Sequence, residues 1–588
     1  MSPESSFSVS WPKLPGPGVT QPPRTSRAAL DVRLERLRSQ ANAFARLAAA
    51  EKATLLREVG LRFAAHAERM VELGCAAKGI DPKLPVAGEE WFSTVAISLR
   101  ALRLFANALA EVATRGAPAL SFLSSDGETR VRLTPHELYD RAIFMGWSCE
   151  AWMAPGASPD SIRGAQARFY AEREPEGHVV LVLGAGNVGS ISVLDVLYHS
   201  FVEGGVCLLK MSPVNAYLGP LYEDAFKPLI DRGFLAMAYG GAEEGEYLVY
   251  HPLVEAVHVT GSAETHDRIV WGPPGPERDA SKRASQPLLE RRVTSELGNV
   301  SPVLVVPAHY DARELDALAH NVAGMVMHNA SFNCNAAKMI VTAASWPQRE
   351  AFLERLGSLF ASNRPRPSYY PGAESRFEQL LADVPRAQIR QYGEGVVGAL
   401  PWTLVRDLSP SSASPLFRVE PFCSIVSETA LPVRDVEAFL AAAPTFANDE
   451  LWGTLNVMLI APRSVTDQPE LALLLERAVT ELNYGTVGVN VWPAVGFGLG
   501  LPPWGGAPGG TLSDVQSGIG WGHNAALLDD VRKVVVRGPL LGFPRPFWYP
   551  GNAQLRELGQ SLAAMEAAPS LPRLLRTAWV ASRASSSR

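Results

Sequence analysis

From residue 28 to about 112, apolar side chains recur at helical spacing, first in LERLRSQANAFARLAAAEKATLLREVGLRFAAHAERMVELG and again in WFSTVAISLRALRLFANALAEVA. This pattern predicts a helical opening region. Residues 1–27, rich in Ser and Pro and without hydrophobic periodicity, read as a flexible arm. Residues 120–172 are mixed, with short strands expected around RVRLTP and a loop at APGASPDS. Beyond them short apolar runs alternate with helical ones: HVVLVLG, SISVLDVLYHSFVEG, VCLLKMS, YLGPLYEDAFKPLIDRG, FLAMAYG and AVHVTGS. Strands separated by helices in this way predict a parallel sheet with crossover helices.

The polar, Pro-rich stretch WGPPGPERDASKRASQ, about residues 271–286, interrupts the pattern and reads as a surface insertion. A second alternating unit opens at SPVLVVP and runs through KMIVTA, FCSIVSE, LNVMLIA and TVGVNVW to about residue 505. The expected class is therefore α/β with two Rossmann-like parallel-sheet domains. One spans 28–296 with the helical region, the other spans 297–505, and residues 506–588 form a C-terminal segment returning to the first. Aromatic and apolar side chains in GFPRPFWYPGN and SLPRLLRTAWVASRASSSR give that tail a surface for a subunit contact or for docking on its own domain.

Composition narrows the function classes. A chain of 588 residues exceeds what one hydrophobic core organises, and 47% hydrophobic with 19% charged residues is a globular balance. A net charge of −6 without a dense Lys/Arg block argues against nucleic acid as a partner. The five cysteines form no CxxC pair and no disulfide framework, which suits a reducing compartment. With Ser and Pro where a signal peptide needs an apolar run, and no apolar run of roughly 18 residues, a cytoplasmic protein without a membrane span is expected.

Gly184-Ala185-Gly186-Asn187-Val188-Gly189 follows a predicted strand and opens a predicted helix, the setting of a dinucleotide fingerprint. The next strand, however, ends in Lys210 rather than the acid that would hold a ribose hydroxyl. Taken alone, these glycines equally read as a tight strand-to-helix turn. Cys334 lies 38 residues after Glu296 and downstream of Asn187. Thiol, carboxylate and side-chain amide together supply a nucleophile, a base and an oxyanion donor, whereas each alone reads as packing, solvated surface or turn.

Read in order, these residues resemble the aldehyde dehydrogenase superfamily. Asn187 matches the asparagine of the family's Pro-Trp-Asn turn and Lys210 the lysine ending the next strand. Gly241 to Gly245 resembles the glycine turn over the cofactor, and Val259-Thr260-Gly261-Ser262 the Phe-Thr-Gly-Ser segment. Glu296-Leu297-Gly298-Asn299 resembles Glu-Leu-Gly-Gly, and Cys334 takes the nucleophile position. Glu420-Pro421-Phe422 resembles the Glu-x-Phe at the nicotinamide ribose, and Pro503-Trp504-Gly505-Gly506 a late Pro-Phe-Gly-Gly.

The resemblance implies oxidation of a small-molecule aldehyde with NAD or NADP through a Cys334 thioester, with Glu296 activating the hydrolytic water and Asn187 in the oxyanion hole. Cofactor contacts would come from Lys210, Ser212, Gly241, Gly245, Gly261, Ser262, Leu297, Gly298, Glu420 and Phe422, with no metal. It further implies a homodimer or homotetramer joined by a small oligomerisation element, for which residues 120–172 are the candidate. Ser331-Phe332 replaces the family's Gly-Gln, predicting a differently shaped nucleophile loop with a bulkier neighbour. Pro213 stands where NAD-preferring members often carry Glu, which admits NADP, with Lys210 and Ser212 on its 2′-phosphate. GAGNVGSISVLDVLYHSFVEGGVCLLK also resembles bacterial luminescence-type acyl reductases, so an acyl-CoA or fatty acyl reductase using NADPH is the alternative. SELGN, with its hydrolytic base, favours oxidation; a catalytically silent binding protein is the third reading.

Overall fold

The computed structural model describes residues 19–125, 128–393 and 395–584. Residues 1–18 of the expected arm lie outside the described residues. From residue 19 the chain lies against the first sheet: Gln21 donates to the Pro213 carbonyl, the Thr25 amide to Tyr239, and Arg24 pairs with Glu243 and Glu244.

Two sheets organise the molecule. The first has six strands in the order Gly518–Ile519, Arg292–Leu297, Ala256–Gly261, Val179–Leu183, Val206–Lys210 and Leu235–Ala238. All pair in parallel except the antiparallel edge strand Gly518–Ile519, contributed by the C-terminal segment. Val179 to Val182 are entirely buried, as a parallel strand covered on both faces requires. Strand order reverses at Val179–Leu183, which creates a crevice at the carboxyl ends of the strands. Asn187, Lys210, Gly241, Gly261 and Leu297 all lie at or just past those ends.

The second sheet has eleven strands. Its parallel centre runs Val531–Arg537, Thr486–Val489, Asn456–Ile460, Pro302–Val305, Met339–Ala343, Ile425–Leu431 and Trp402–Leu408. The region 120–172 extends this sheet through three antiparallel strands, Ser121–Ser125, Glu128–Thr134 and Ser148–Met153. RVRLTP is thus a strand as its pattern predicts. The 271–286 insertion lies on the surface and is largely a helix, Pro276–Ala284, with no buried residue. Glu277 and Asp279 in its first turn and Lys282 and Arg283 in its last complement the helix dipole, and Pro276 suits the first helical position.

Helices Arg27–Ala45, Ala49–Ala65, Ala67–Ala77 and Ile97–Arg115 build the opening region. The last is entered through a wide π-helical segment, Trp91–Ala96. The C-terminal helix Leu555–Ala567 folds back on this segment and on Ile97–Arg115, and the last helix, Leu571–Ala584, packs on it and on Leu138–Ile143. The fit is close: a Cβ on Gly88 would lie 2.4 Å from the Leu555 backbone. A charge cluster pins the contact, with Arg100 bonded to Asp140 and Glu566 at 2.9 Å each and Arg103 to Glu566 at 2.7 Å. Among the described residues no helix is long and apolar enough to cross a membrane.

Candidate active site

Cys334 sits in the loop between the short helical turn His328–Ser331 and the strand Met339–Ala343. Glu296 is the last residue but one of the strand Arg292–Leu297, and Asn187 follows Val179–Leu183. The fold brings the three together. Cys334 Sγ lies 3.5 Å from Glu296 Oε1, and Asn187 Nδ2 donates to the Phe332 carbonyl at 3.0 Å, two residues before the thiol.

The loop carrying Cys334 is strained and tightly held. Asn329, Ala330 and Ser331 have φ of 53°, 52° and 71°, a left-handed run that non-glycine residues keep only when their surroundings enforce it. Asn329 is the anchor. Its amide N–H donates to Glu89, its side-chain oxygen accepts from Lys78 and Tyr369 at 3.0 Å each, and its side-chain nitrogen donates to the carbonyls of Asn187 and Phe332. Lys78 pairs with Glu90 at 2.5 Å, and Arg366 grips Glu89 and the Met327 carbonyl. On the far side of Cys334, Lys338 Nζ donates to the Ser331 carbonyl and Ser301 to the Cys334 carbonyl, both at 3.0 Å. Phe332, expected to reshape the approach to the thiol, turns away from it into Tyr369, Tyr370 and Phe422.

The electrostatics suit proton transfer. Burial, reinforced by the charge of Asp195, pushes Glu296 up to about 7. Burial also drives the Cys334 thiol well above its ordinary value, with Glu296 and Glu420 adding to the shift and Lys338 opposing it. The thiol therefore needs a base to become a thiolate, and Glu296 is in reach. Behind Glu296, Asp195 accepts from Thr260 at 2.9 Å and faces His258 Nε2 at 3.5 Å. Burial works against the charge on His258, but Asp195 outweighs it and holds the imidazole above its usual value.

The residues expected at the cofactor divide into two groups. The glycines of the GxGxxG match are packed by the chain itself: a Cβ on Gly184 would meet Ser192 Oγ at 2.4 Å, and one on Gly186 would meet Ser212 Oγ at 2.5 Å. They serve the tight turn and leave no cradle for a pyrophosphate. Above Gly241, Gly245 and Gly261 nothing lies within 4 Å of an added Cβ. The side-chain amine of Lys210, its pKa lowered by burial to about 8 against the charge of Glu244, makes no hydrogen bond among the described residues, and Ser212 stands just beyond it, its Oγ accepting from the Val214 amide. Ser262 caps the helix Ala263–Trp271, and Leu297 and Gly298 are tied to Ser517. Glu420 packs on Gly298, and its Oε1 is buried without a partner, an open acceptor for a hydroxyl. Open space, an unpaired buried amine and an orphan carboxylate oxygen fit a dinucleotide at this crevice.

Asp195, His258, Asn329, Lys78 and Lys338 were not anticipated as site residues. Two of them carry a signal: Asp195 interrupts the apolar run SISVLDVLYHSF, and Lys338 interrupts NAAKMIVT just ahead of a buried strand. A charge in a buried segment needs a partner, and here the partners are Thr260 and His258 for Asp195 and the Ser331 carbonyl for Lys338.

The model of the aldehyde dehydrogenase family matches residues 136–366. An aminoacetaldehyde dehydrogenase of Pseudomonas aeruginosa is 29% identical over 358 residues, 58% of this chain and 64% of that protein, so the chain spans less than two thirds of that relative's length. Among solved structures, the Mycobacterium tuberculosis aldehyde dehydrogenase complexed with NAD+ superposes with a TM-score of 0.59 at 17% identity, covering 89% of this chain and 92% of that one. The Methanocaldococcus jannaschii glyceraldehyde-3-phosphate dehydrogenase GapN complexed with NADP gives 0.59 at 12%, covering 89% and 97%. The architecture, two parallel-centred sheets flanking a partly buried thiol, is thus that of the solved aldehyde dehydrogenases. The chain is similar to the aldehyde dehydrogenases over residues 136–366 and in its fold.

Proposed function

We propose that this protein oxidises an aldehyde to the carboxylic acid with NAD or NADP, through a covalent thioester on Cys334. The observation that carries the reading is the 3.5 Å contact between the Cys334 thiol and the buried Glu296 carboxylate, with the Asn187 amide on the same loop. Glu296 accepts the thiol proton as Sγ bonds to the carbonyl carbon, giving a thiohemiacetal alkoxide. One Asn187 N–H holds the Phe332 carbonyl, so the second N–H is the donor for that oxyanion, alongside a backbone N–H near Cys334. Gly241, Gly245, Gly261, Lys210, Ser212, Ser262, Leu297, Gly298, Glu420 and Phe422 would hold the dinucleotide, which would supply the hydride acceptor. Once it has released the thiol proton to solvent, Glu296 takes a proton from the water that cleaves the thioester. A carboxylate near 7 suits this: it is basic enough to accept the proton and ionised in a useful fraction at neutral pH.

The test is an aldehyde panel with NAD and NADP, followed by reduced-cofactor absorbance, on wild type, Cys334→Ala and Glu296→Gln. Cys334→Ala is expected to lose roughly 10⁴-fold or more in kcat. Glu296→Gln should lose about 10²–10⁴-fold and accumulate an acylated Cys334 visible by intact mass. Reduction of acyl-CoA by NADPH without oxidation of any aldehyde would overturn the reading in favour of an acyl reductase.

A further inference from the structure

Cys334 and Asn187 face a cavity of about 290 Å³ that none of the proposed dinucleotide contacts lines. On the function proposed above, this is the route of the organic substrate. Its size approaches the range of pockets that enclose drug-sized ligands, well beyond the needs of a two- or three-carbon aldehyde. Parts of the chain remote in sequence build it: the wide turn Trp91–Ala96 with the helix after it, residues 142–147, residues 492–499, and the C-terminal segment from 543 to 581.

The wall is apolar, with Phe92, Phe144, Trp492, Phe497, Leu558 and Leu562 prominent. The charged side chains on it are engaged with other groups. Arg100 and Glu566 bond to each other at 2.9 Å and are further tied to Asp140 and Arg103. Arg545 is held over the Tyr549 ring at 5.2 Å. A charged substrate entering here would be desolvated against hydrocarbon, with the ionic groups of the wall already in pairs. An apolar chain would gain from every methylene it buried.

We propose that the substrate is an uncharged aldehyde with an extended apolar chain, seated in a tunnel whose outer wall is completed by the C-terminal helices Leu555–Ala567 and Leu571–Ala584. These helices are held for the purpose. Glu566 ties the first to Arg100 and Arg103, and the hydroxyls of Ser561 and Thr577, 2.8 Å apart, tie the two together. The second packs against the segment Leu138–Ile143, which carries Ile143 to the same wall. The tail thereby becomes part of substrate selection.

The test is kcat/KM for propanal, hexanal, decanal and a cationic aldehyde, 4-trimethylammoniobutanal, on wild type, Ala581→Trp and Leu562→Glu. Wild type is expected to prefer decanal to propanal by a hundredfold or more, at up to about fourfold per buried methylene. Ala581→Trp, filling the tunnel, should lower the decanal-to-propanal ratio at least tenfold. Leu562→Glu should lower that ratio and raise relative activity on the cation. Propanal turnover in each variant reports that the protein is folded. The proposal is wrong if propanal or the cationic aldehyde equals decanal in wild type, or if both variants leave the ratio unchanged. No turnover of any aldehyde by wild type would instead overturn the oxidation reading itself.

Discussion

Cys334 has two unlike sides. On one lie Glu296, Asp195, His258, Lys338 and Glu420, buried groups with shifted titration or close ionic partners. On the other lies a cavity walled by aromatic and aliphatic side chains, with Arg100 and Glu566 bound up in an ion pair and Arg545 held over the Tyr549 ring. On the function proposed above, the polar side would determine what can happen to a carbonyl, and the apolar side which carbonyl arrives. Their tolerances differ accordingly. Few residue types can abstract a proton at neutral pH, whereas many large apolar residues can fill a wall.

The sharpest way to separate the two sides is to loosen the apolar one from a distance. Glu566 neutralises Arg100 and Arg103 where the C-terminal hairpin meets the N-terminal helices. Burial works against the charge on Arg100, yet Glu566 and Asp140 outweigh it and its pKa rises. Glu566→Ala leaves that buried cation with one carboxylate and is expected to cost about 3–5 kcal/mol, read as a fall in Tm with faster proteolytic release of the segment after residue 540. Glu566→Gln, which keeps hydrogen-bonding atoms, should cost less. Unchanged stability in Glu566→Ala would show that the hairpin is held by its apolar contacts alone.

Asn187 touches both sides, because it donates to the nucleophile loop and borders the cavity. If its second N–H is an oxyanion donor, Asn187→Ala should lower kcat by about 10²–10³-fold, or roughly 3–4 kcal/mol. The factor should be the same for short and long aldehydes. A loss confined to KM, or one that grows with chain length, would make Asn187 a part of the wall.

The contrast between the two sides also explains what could be read in advance. The buried runs around VVLVL and VCLLK predict parallel strands, because only a strand covered on both faces tolerates such continuity. Glu296, Cys334 and Asn187 stand out because their chemistry and order resemble a family pattern. Lys78, Asn329 and the Glu89–Arg366 pair do not, since a support can come from any segment the fold delivers, and its partners are up to 277 residues away. The cavity wall is the least legible part. Phe92, Phe144, Trp492 and Leu562 carry no motif, and a half-buried leucine on a tail reads the same whether it faces a neighbouring helix or a substrate.

The subtlest test asks whether the polar side stores strain that the apolar side does not. Glu296 rises from 4.5 to about 7, chiefly through burial and then through Asp195. A carboxyl raised in the folded state stabilises the fold fully below its unfolded pKa and loses that contribution as pH climbs through the folded value. Between about pH 4.5 and 7 the wild type should therefore give up on the order of 3 kcal/mol, the cost of ionising a group the fold prefers neutral. Glu296→Gln keeps the shape and a hydrogen-bonding side chain but cannot ionise. Its Tm should exceed that of wild type at pH 8, and the gap should narrow steadily towards pH 5. Activity should run the other way, with wild-type turnover rising through pH 7 as the base ionises and the Gln variant staying low throughout. A Tm gap independent of pH would mean that Glu296 does not ionise in this window, and the base that opens the thioester would have to be sought among Asp195, His258 or Glu420.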